Sequence, residues 1–534
     1  MSKYLRSRSS SNFPIMHLLF MTILLQSANF KCLESPNRVI RNQYVNISDS
    51  TCAYSGYVNT ESSSFYYQLY SKEENLTNQE QKIPRPLIIW INSGLGTSLF
   101  IGNMLDIGPL NLDESLNIQT KPKSWLDETN LLFFDYPDHT SGFSRYTSTI
   151  SDQFIYNDFT SQTVFEQEDQ DIDLNYEIYT LLQQLRNLYP ELIGQMIMLA
   201  GQSYSANQII ELATFISQES KLNIKLSYSV FNIRGIIMFN PLIDPMQQRQ
   251  GIEDIAMELG ILDQNSIGLI NSLNHQCELS LMNEYPKEQT TECVKALQYI
   301  QLMSGNVSLS DYRKPDSLFN RKRMLSQKFS RELTQKSLID LVNILNTPIP
   351  VFVIMGQFDL QISKQHTESL LLGLNFQFKS QFDRQPRRHY MYQKNATNNN
   401  MSNYEIGAYH KSLWPLHYIV AKNTGHFVSD DNMDLSLQIL KDMTHFATLK
   451  CHNQDNDIQQ CHQLNENVCQ VYLNNCNNQG LCLKNGQCYC FEGYYGADCS
   501  IKPIERRIIQ IKKLSPRQIE YMILNITKYK LSGA

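Results

Sequence analysis

Three residues scattered over a chain of 534 could together activate a hydroxyl: Ser203, Asp359 and His426. A serine hydroxyl is a weak nucleophile until a base takes its proton. Histidine can do so near neutral pH, and a carboxylate can hold the imidazole in the right tautomer and stabilise its charged form. Ser203 sits in Leu199-Ala200-Gly201-Gln202-Ser203-Tyr204-Ser205, where an apolar strand pattern gives way to a helical one. A serine on so tight a strand-to-helix turn needs small residues two positions to either side. Gly201 and Ser205 meet that need, although glycine at 205 would complete the usual pattern. Each residue taken singly has a plain alternative: Gly-x-Ser as an ordinary turn, Asp359 as a turn former, His426 as a surface loop residue. The order Ser, Asp, His, each at the carboxyl end of an expected strand, makes three accidents a poor explanation, because open α/β sheets place their sites there. A tetrahedral oxyanion would need backbone donors, and the amides of Tyr204 and Gly94 are the candidates.

Positioning three such residues requires a sheet. Near-continuous apolar runs predict strands at 86–92, 130–137, 196–203, 233–241, 350–359 and 417–426, as expected for strands buried on both faces. Helices are predicted between them, at 173–189 with Leu174, Ile178, Leu181, Leu182, Leu185 and Leu188 at helical spacing, and at 206–217. This alternation implies an α/β fold with a doubly wound, mostly parallel sheet. The rhythm breaks at about 245–346, which reads as a helical insertion, either a lid over the site or an extra helical layer.

Composition bounds the class. The hydrophobic fraction of 42% supports a sizeable core, and a net charge of −6 gives no reason to expect nucleic acid. Residues 1–28 read as a secretory signal peptide: Lys3, Arg6 and Arg8 lead an apolar run over 15–25 that is too short to span a bilayer comfortably. No later stretch is long and apolar enough to cross a membrane. Twelve cysteines in an exported chain suggest six disulfides, and six sequons begin at Asn46, Asn75, Asn306, Asn395, Asn400 and Asn525. Eight of the cysteines fall between Cys451 and Cys499, which marks a separate module. The expected layout is a catalytic domain over 33–450, a linker over 451–466, the module over 467–500 and a tail over 501–534.

Several ordered motifs give the chain a resemblance to the serine carboxypeptidases over about 400 residues. Trp90-Ile91-Asn92-Ser93-Gly94-Leu95-Gly96-Thr97-Ser98 is similar to W-L-N-G-G-P-G-C-S. Asp106-Ile107-Gly108-Pro109 is similar to E-x-G-P. Ser124-Trp125, Asn130, Asp135-Tyr136-Pro137 and Gly142-Phe143-Ser144 follow S-W, N, D-Q-P and G-F-S. Gly201 to Ser205 resembles G-E-S-Y-A, and Phe239-Asn240-Pro241-Leu242-Ile243-Asp244-Pro245 resembles G-N-G-x-x-D-P. Gly356 to Asp359 and Gly425 to Val428 resemble G-D-x-D and G-H-M-V. The resemblance implies an α/β-hydrolase that hydrolyses the C-terminal peptide bond of peptides and proteins, without metal or organic cofactor. It implies that Asn92 and Gln202 hold the substrate's terminal carboxylate, that Asp106 pairs with Gln202, and that Gly94 and Tyr204 form the oxyanion hole. The chain departs from the family at Gln202 and Asp106, where glutamates stand, at Thr97, where a cysteine stands, and at Ser93 and Leu95. Gln202 is a neutral amide with donors at every pH, so carboxylate affinity is expected to depend less on acid pH than a glutamate's would.

The spacing Cys469-x6-Cys476-x5-Cys482-x5-Cys488-x-Cys490-x8-Cys499, with Gly493-Tyr494-Tyr495-Gly496, resembles an EGF-like domain. Spacing alone leaves fifteen pairings open. The resemblance implies Cys469–Cys482, Cys476–Cys488 and Cys490–Cys499, while the exported setting and the odd spacings argue against a zinc site. Cys451 with Cys461, Cys277 with Cys293, and Cys32 with Cys52 are the expected remaining pairs. The module is a candidate surface for a protein or glycan partner, or a cover for part of the catalytic domain. Two other functions share the scaffold: an acyltransferase, and an inactive extracellular binding homologue. The secretory route leads to secretion or to a lysosome or vacuole.

Overall fold

The computed structural model describes residues 51–72, 85–92, 97–113, 117–137, 142–147, 173–189, 196–222, 231–249, 252–282, 289–315, 331–394, 404–446, 449, 468–471, 473–482, 488–491, 494 and 498–500. Their backbone is organised by one large sheet. Its strands are β1 (Thr51–Asn59), β2 (Ser63–Lys72), β3 (Leu87–Ile91), β4 (Asn130–Phe134), β5 (Arg145–Tyr146), β6 (Met196–Gln202), β7 (Asn232–Phe239), β8 (Val351–Gly356), β9 (Arg388–Gln393), β10 (Tyr404–Leu413) and β11 (Leu416–Ala421). The spatial order is β1-β2-β4-β3-β6-β7-β8-β11-β10-β9, with β5 paired to β2. The run β4-β3-β6-β7-β8-β11 is parallel throughout. These are the six strands that the apolar runs predict. The antiparallel strands at either edge are additional.

Alternation along each central strand divides the core into two layers. Leu87, Ile89, Ile91, Leu132, Phe134, Val351, Val353 and Met355 point to one face. Ile88, Trp90, Leu131, Phe133, Phe352 and Ile354 point to the other. Strands buried on both faces need apolar residues at every position, because nothing on either side is solvent. Helix α1 (Leu174–Leu188) covers the first face with Ile178, Leu181, Leu182 and Leu185. Its start is fixed by Asp173, whose carboxylate accepts from the amides of Asn175 and Tyr176. Helix α2 (Ser205–Leu222) lies on the same face through Ile209, Ile210, Ala213 and Ile216. The second face is covered by Leu435, Ile439, Leu440 and Met443 of the helix Met433–Phe446, and by Trp125 and Leu126.

The segment expected as an insertion over 245–346 is shorter. Helices Ile252–Glu258, Gln264–Met282 and Gln289–Met303 build a core of their own, in which Ile252, Ile255, Leu262, Ile270, Leu297 and Ile300 meet Leu309 and Leu360. The last helix, Arg331–Leu345, instead buries Leu341, Ile344 and Leu345 in the main core beside α2. It is therefore part of the layered sheet, because its apolar stripe faces the sheet rather than the cap.

The C-terminal module is held by three disulfides, Cys469–Cys482, Cys476–Cys488 and Cys490–Cys499, with Cα separations of 5.7, 5.5 and 5.2 Å. It packs on the body built around the large sheet through Trp414, which with Phe378 shares one apolar cluster with Cys469, Leu473, Cys476, Cys488 and Cys499. Arg234, at the start of β7, donates to the Cys488 carbonyl at 3.4 Å. Burial pushes its guanidinium down to about 10, with the Asp498 charge opposing. Arg234 and Trp414 lie at the amino ends of parallel strands, so the module caps the pole opposite the strands' carboxyl ends. Cys52 and Cys277 are also disulfide-bonded. Cys32, Cys451, Cys461 and the side chain of Cys293 lie outside the described residues, as do residues 1–28, all of 451–466 and the tail over 501–534. Among the sequons only Asn306 is described, and it is exposed. No helix among the described residues is long and apolar enough to cross a membrane.

Candidate active site

Ser203 follows the last residue of β6 and stands two residues before the start of α2 at Ser205. Its φ is +59, in the left-handed region that a residue with a side chain adopts only under constraint, at a cost of about 1–2 kcal/mol. The constraint is visible in the bonds around it: the Ser203 amide donates to the Phe239 carbonyl at 2.8 Å, and its carbonyl accepts from Leu242 at 3.0 Å. Gly201 is required because a Cβ there would collide with Ser205 Oγ and the Ile91 carbonyl. Ser205 does more than stay small, since its hydroxyl donates to the Gln202 carbonyl at 2.8 Å and closes the turn.

Asp359 and His426 lie on the loops that leave β8 and β11. His426 Nδ1 and Asp359 Oδ2 are 2.7 Å apart, with both side chains buried. Asp359 also accepts from the Gln361 amide at 2.7 Å. The nitrogen left on the imidazole is Nε2, the atom a general base would use. The two loops touch so closely that a Cβ on Gly356 would run into the Gly425 carbonyl. Burial lowers the ammonium pKa of neighbouring Lys364, with the Asp359 charge opposing.

The elbow and the histidine loop are joined through the main chain of His426. Its carbonyl accepts from Gln202 Nε2 and, at 2.8 Å, from Asn240 Nδ2. Ser203 is thus the direct neighbour of a side chain bonded to His426. Ser203 Oγ itself makes no hydrogen bond among the described residues.

The other expected site residues divide. Asn92 is buried at the end of β3 and donates from Nδ2 to the Phe134 carbonyl at 2.9 Å. Asn92 and Gln202 each keep one further amide proton. The expected pairing of Asp106 with Gln202 is not present: no hydrogen bond joins them among the described residues, and the Gln202 amide goes to His426. Aspartate is one methylene shorter than the glutamate it replaces, and the His426 carbonyl offers the amide a nearer acceptor. Asp106 is instead anchored by Lys121, whose ammonium donates to the Asp106 carbonyl at 2.6 Å. Burial lowers the Lys121 pKa, while the charges of Asp106 and Asp430 oppose this. Tyr204 follows the serine, and burial with the Glu211 charge pushes its phenol up to about 12. Gly94, Ser93 and Leu95 lie outside the described residues.

Sequence reasoning missed one contributor. The hairpin of Val307–Ser308 and Asp311–Pro315 reaches from the cap to both catalytic loops. The Ser310 carbonyl accepts from the His426 amide at 2.6 Å, the Leu309 carbonyl from Leu360 at 2.9 Å, and Ser310 Oγ from Gln361 at 2.6 Å. Arg313 clamps the arrangement. Its Nε and Nη2 donate to the two oxygens of Asp311 at 2.8 and 2.7 Å, its Nη1 to the Asn423 carbonyl at 3.1 Å, and its Cζ lies 4.2 Å from the centre of the Phe358 ring. Asp431 accepts from the Gly425 amide at 2.6 Å and from Lys314 at 2.5 Å. Only the pairing of acids with bases across 311–314 and 431 could have signalled this, and such short charge runs are common on solvated surfaces.

The fold has known counterparts. The chain matches the serine carboxypeptidase family profile over residues 45–338 and 319–446, and an EGF-like domain profile over 469–499. It is 24% identical over 275 residues to serine carboxypeptidase S10 family member 1 of Dictyostelium discoideum, covering 51% of this chain and 60% of that protein. It is 28% identical over 264 residues to the pheromone-processing carboxypeptidase KEX1 of Ogataea parapolymorpha, covering 47% of this chain and 39% of that protein. The matched stretches thus span less than two thirds of these relatives' own length. A crystal structure of a prohormone-processing carboxypeptidase from Saccharomyces cerevisiae superposes with a TM-score of 0.58 at 18% identity, over 73% of this chain and 90% of that one, and shares the fold. With the profile matching well over half its length, the chain belongs to the serine carboxypeptidase family.

Proposed function

We propose that the protein is a serine-type carboxypeptidase that removes C-terminal residues from peptides and proteins. The observation that carries this reading is the buried 2.7 Å contact of His426 with Asp359, on loops bonded to the strained Ser203 elbow. In the reaction, His426 Nε2 takes the Ser203 proton as Oγ attacks the scissile carbonyl. Asp359 holds the proton on Nδ1 and offsets the imidazolium charge. The oxyanion is met by the amides of Tyr204 and Gly94. Collapse of the tetrahedral intermediate breaks the C–N bond, and His426 returns the proton to the leaving amine. Water then repeats the sequence on the acyl-enzyme and restores Ser203.

Exopeptidase selectivity needs donors for a terminal carboxylate. The remaining amide protons of Asn92 and Gln202 fill that role. Amides hold their protons at all working pH values, so KM for a blocked dipeptide is expected to stay flat from about pH 4.5 to 7.5. A steep rise toward neutrality would contradict that assignment. The leading segment over 1–28 acts as a signal peptide and the disulfides form in the secretory pathway, with delivery outside the cell or to a lysosome or vacuole. The deciding assay is release of free C-terminal amino acid from blocked dipeptides, with Ser203→Ala as control. Release by the parent and not by the variant supports the reading. Absence of release from a correctly folded parent overturns it.

A further inference from the structure

We propose that Asn240 and Gln202 are positioning residues that set the catalytic imidazole through the main-chain carbonyl of His426. The proposal deepens the serine hydrolase reading and rests on it. Asn240 occupies the end of β7, between the strands that carry Ser203 and Asp359. It is fully buried, with φ +40. Its amide and both ends of its side chain are engaged in bonds to neighbouring elements. Its amide donates to the Ile354 carbonyl at 2.7 Å, its Oδ1 accepts from the Gly356 amide at 2.7 Å, and its Nδ2 donates to the His426 carbonyl at 2.8 Å. One planar side chain therefore spans the Asp359 loop and the His426 loop with opposite ends, a task that needs a donor and an acceptor together and that an ionised carboxylate cannot perform. Gln202 gives the same carbonyl its second donor from the serine elbow. With the Ser310 carbonyl accepting from the His426 amide, the histidine's own peptide groups are fixed on both sides.

The chemistry makes the proposal specific. A carboxylate of the same shape can accept but cannot donate, so Asn240→Asp keeps the bond from Gly356 and turns the bond to His426 into a repulsion between two acceptors. Gln202→Glu does likewise from the elbow. Protonation of either introduced acid restores the donor. The effect of each variant must therefore vanish as pH falls, whereas a general loss of packing would not follow pH. The titratable groups around this carbonyl are His426 and Asp359 themselves, Asp311 and Arg313 on the hairpin, Asp431 at the Gly425 amide, Lys364 beside Asp359, and Asp106 with Lys121 on the segment after β3. All of them are common to the parent and the variants, so the comparison isolates the introduced acid.

The test is the second-order rate of labelling by a fluorophosphonate from pH 4.5 to 8, with Ser203→Ala as blank, together with thermal unfolding of the same proteins. The probe has no carboxylate, so a role for Gln202 confined to binding a substrate carboxylate leaves its labelling unchanged. The expected result is that Asn240→Asp and Gln202→Glu label about tenfold or more slowly than the parent at pH 7.5 and approach it toward pH 4.5. On blocked dipeptides the Asn240→Asp loss falls on kcat rather than KM. A deficit that is the same at every pH, or no deficit, overturns the proposal. If the parent itself does not label, the function reading fails, and unfolding decides the inference. A Tm gap between Asn240→Asp and parent that widens from pH 4.5 to 7.5 supports the pairing, and a constant gap overturns it.

Discussion

Replacing Trp414 with alanine should detach the disulfide module from the catalytic body while leaving the chemistry intact. Trp414 sits at the tip of the β10–β11 hairpin, is 6% exposed, and has its ring centre 5.9 Å from that of Phe378. A buried tryptophan removes about 150–250 Å² from water. At about 25 cal/mol per Å² this is about 4–6 kcal/mol, an upper estimate because unfolded chains already bury some surface. Core truncations of aromatic residues to alanine cost about 3–5 kcal/mol, which agrees. The loss falls at one pole only. From Leu416 to Ala421 the strand runs about 17 Å before the histidine loop begins. Urea unfolding of the oxidised protein should therefore show a loss of about 4 kcal/mol, while fluorophosphonate labelling stays within about twofold of the parent. Phe378→Ala should be non-additive with it, because the two rings share one contact. A loss below about 1 kcal/mol would mean the contact is passive and the module merely tethered. A labelling rate that collapses with stability would mean that the module pole and the site are coupled, contrary to the reasoning.

The other expectations concern the site itself. Asp359→Asn should preserve the fold yet lower kcat by about 10⁴-fold, since an amide donating to Nδ1 selects the wrong imidazole tautomer. A loss under about tenfold, measured on blocked dipeptides, would remove Asp359 from its assigned role. The hairpin clamp should titrate at the acid end. Burial of Asp311 opposes ionisation, but the hydrogen bonds and charge of Arg313, with Lys314, outweigh it and hold the carboxyl below the usual range. A depressed folded-state pKa means that the stabilisation is complete above the ordinary carboxylate pKa near 4 and is lost as pH falls through the lowered value. Thermal unfolding should accordingly show Asp311→Asn less stable than the parent at pH 5–7, with the two curves converging toward pH 2–3. A gap that persists there would show that the contribution does not come from the charge.

What the sequence made legible follows from burial. The six parallel strands are buried on both faces, so each is an unbroken apolar run such as Leu87–Ile91 or Val351–Gly356, and each stands out from its surroundings. The edge strands carry no such signal. Arg388–Gln393 and Tyr404–Leu413 mix charged, polar, aromatic and small residues with no unbroken apolar run, and their register is set by the neighbours they pair with. The serine elbow was readable because its geometry restricts residue size at Gly201 and Ser205. The hairpin over 307–315 was not, because its work is done by main-chain carbonyls at Leu309 and Ser310, which any residue supplies. The true end of the cap was hidden for a related reason. Arg331–Leu345 reads as one more amphipathic helix, and only packing shows which core its stripe enters.

The departures at Asp106 and Gln202 are best understood as a single change. A carboxylic acid at 202 would have to stay protonated to donate, and a second acid of full length at 106 could share that proton. With a shortened side chain at 106, no such partner reaches 202, and an ionised acid there would face the His426 carbonyl as acceptor against acceptor. An amide removes the conflict: it donates to His426 without holding a titratable proton and keeps a second N–H. Asn240 meets the same carbonyl with the same chemistry from the adjacent strand. Two uncharged amides at the ends of two strands thus fix the backbone of His426, and the carboxyl groups of Asp359, Asp311 and Asp431 serve the imidazole ring and the clamp around it. The arrangement gives the holding of the His426 carbonyl to amides that carry no charge and the orientation of its ring to the carboxylate of Asp359.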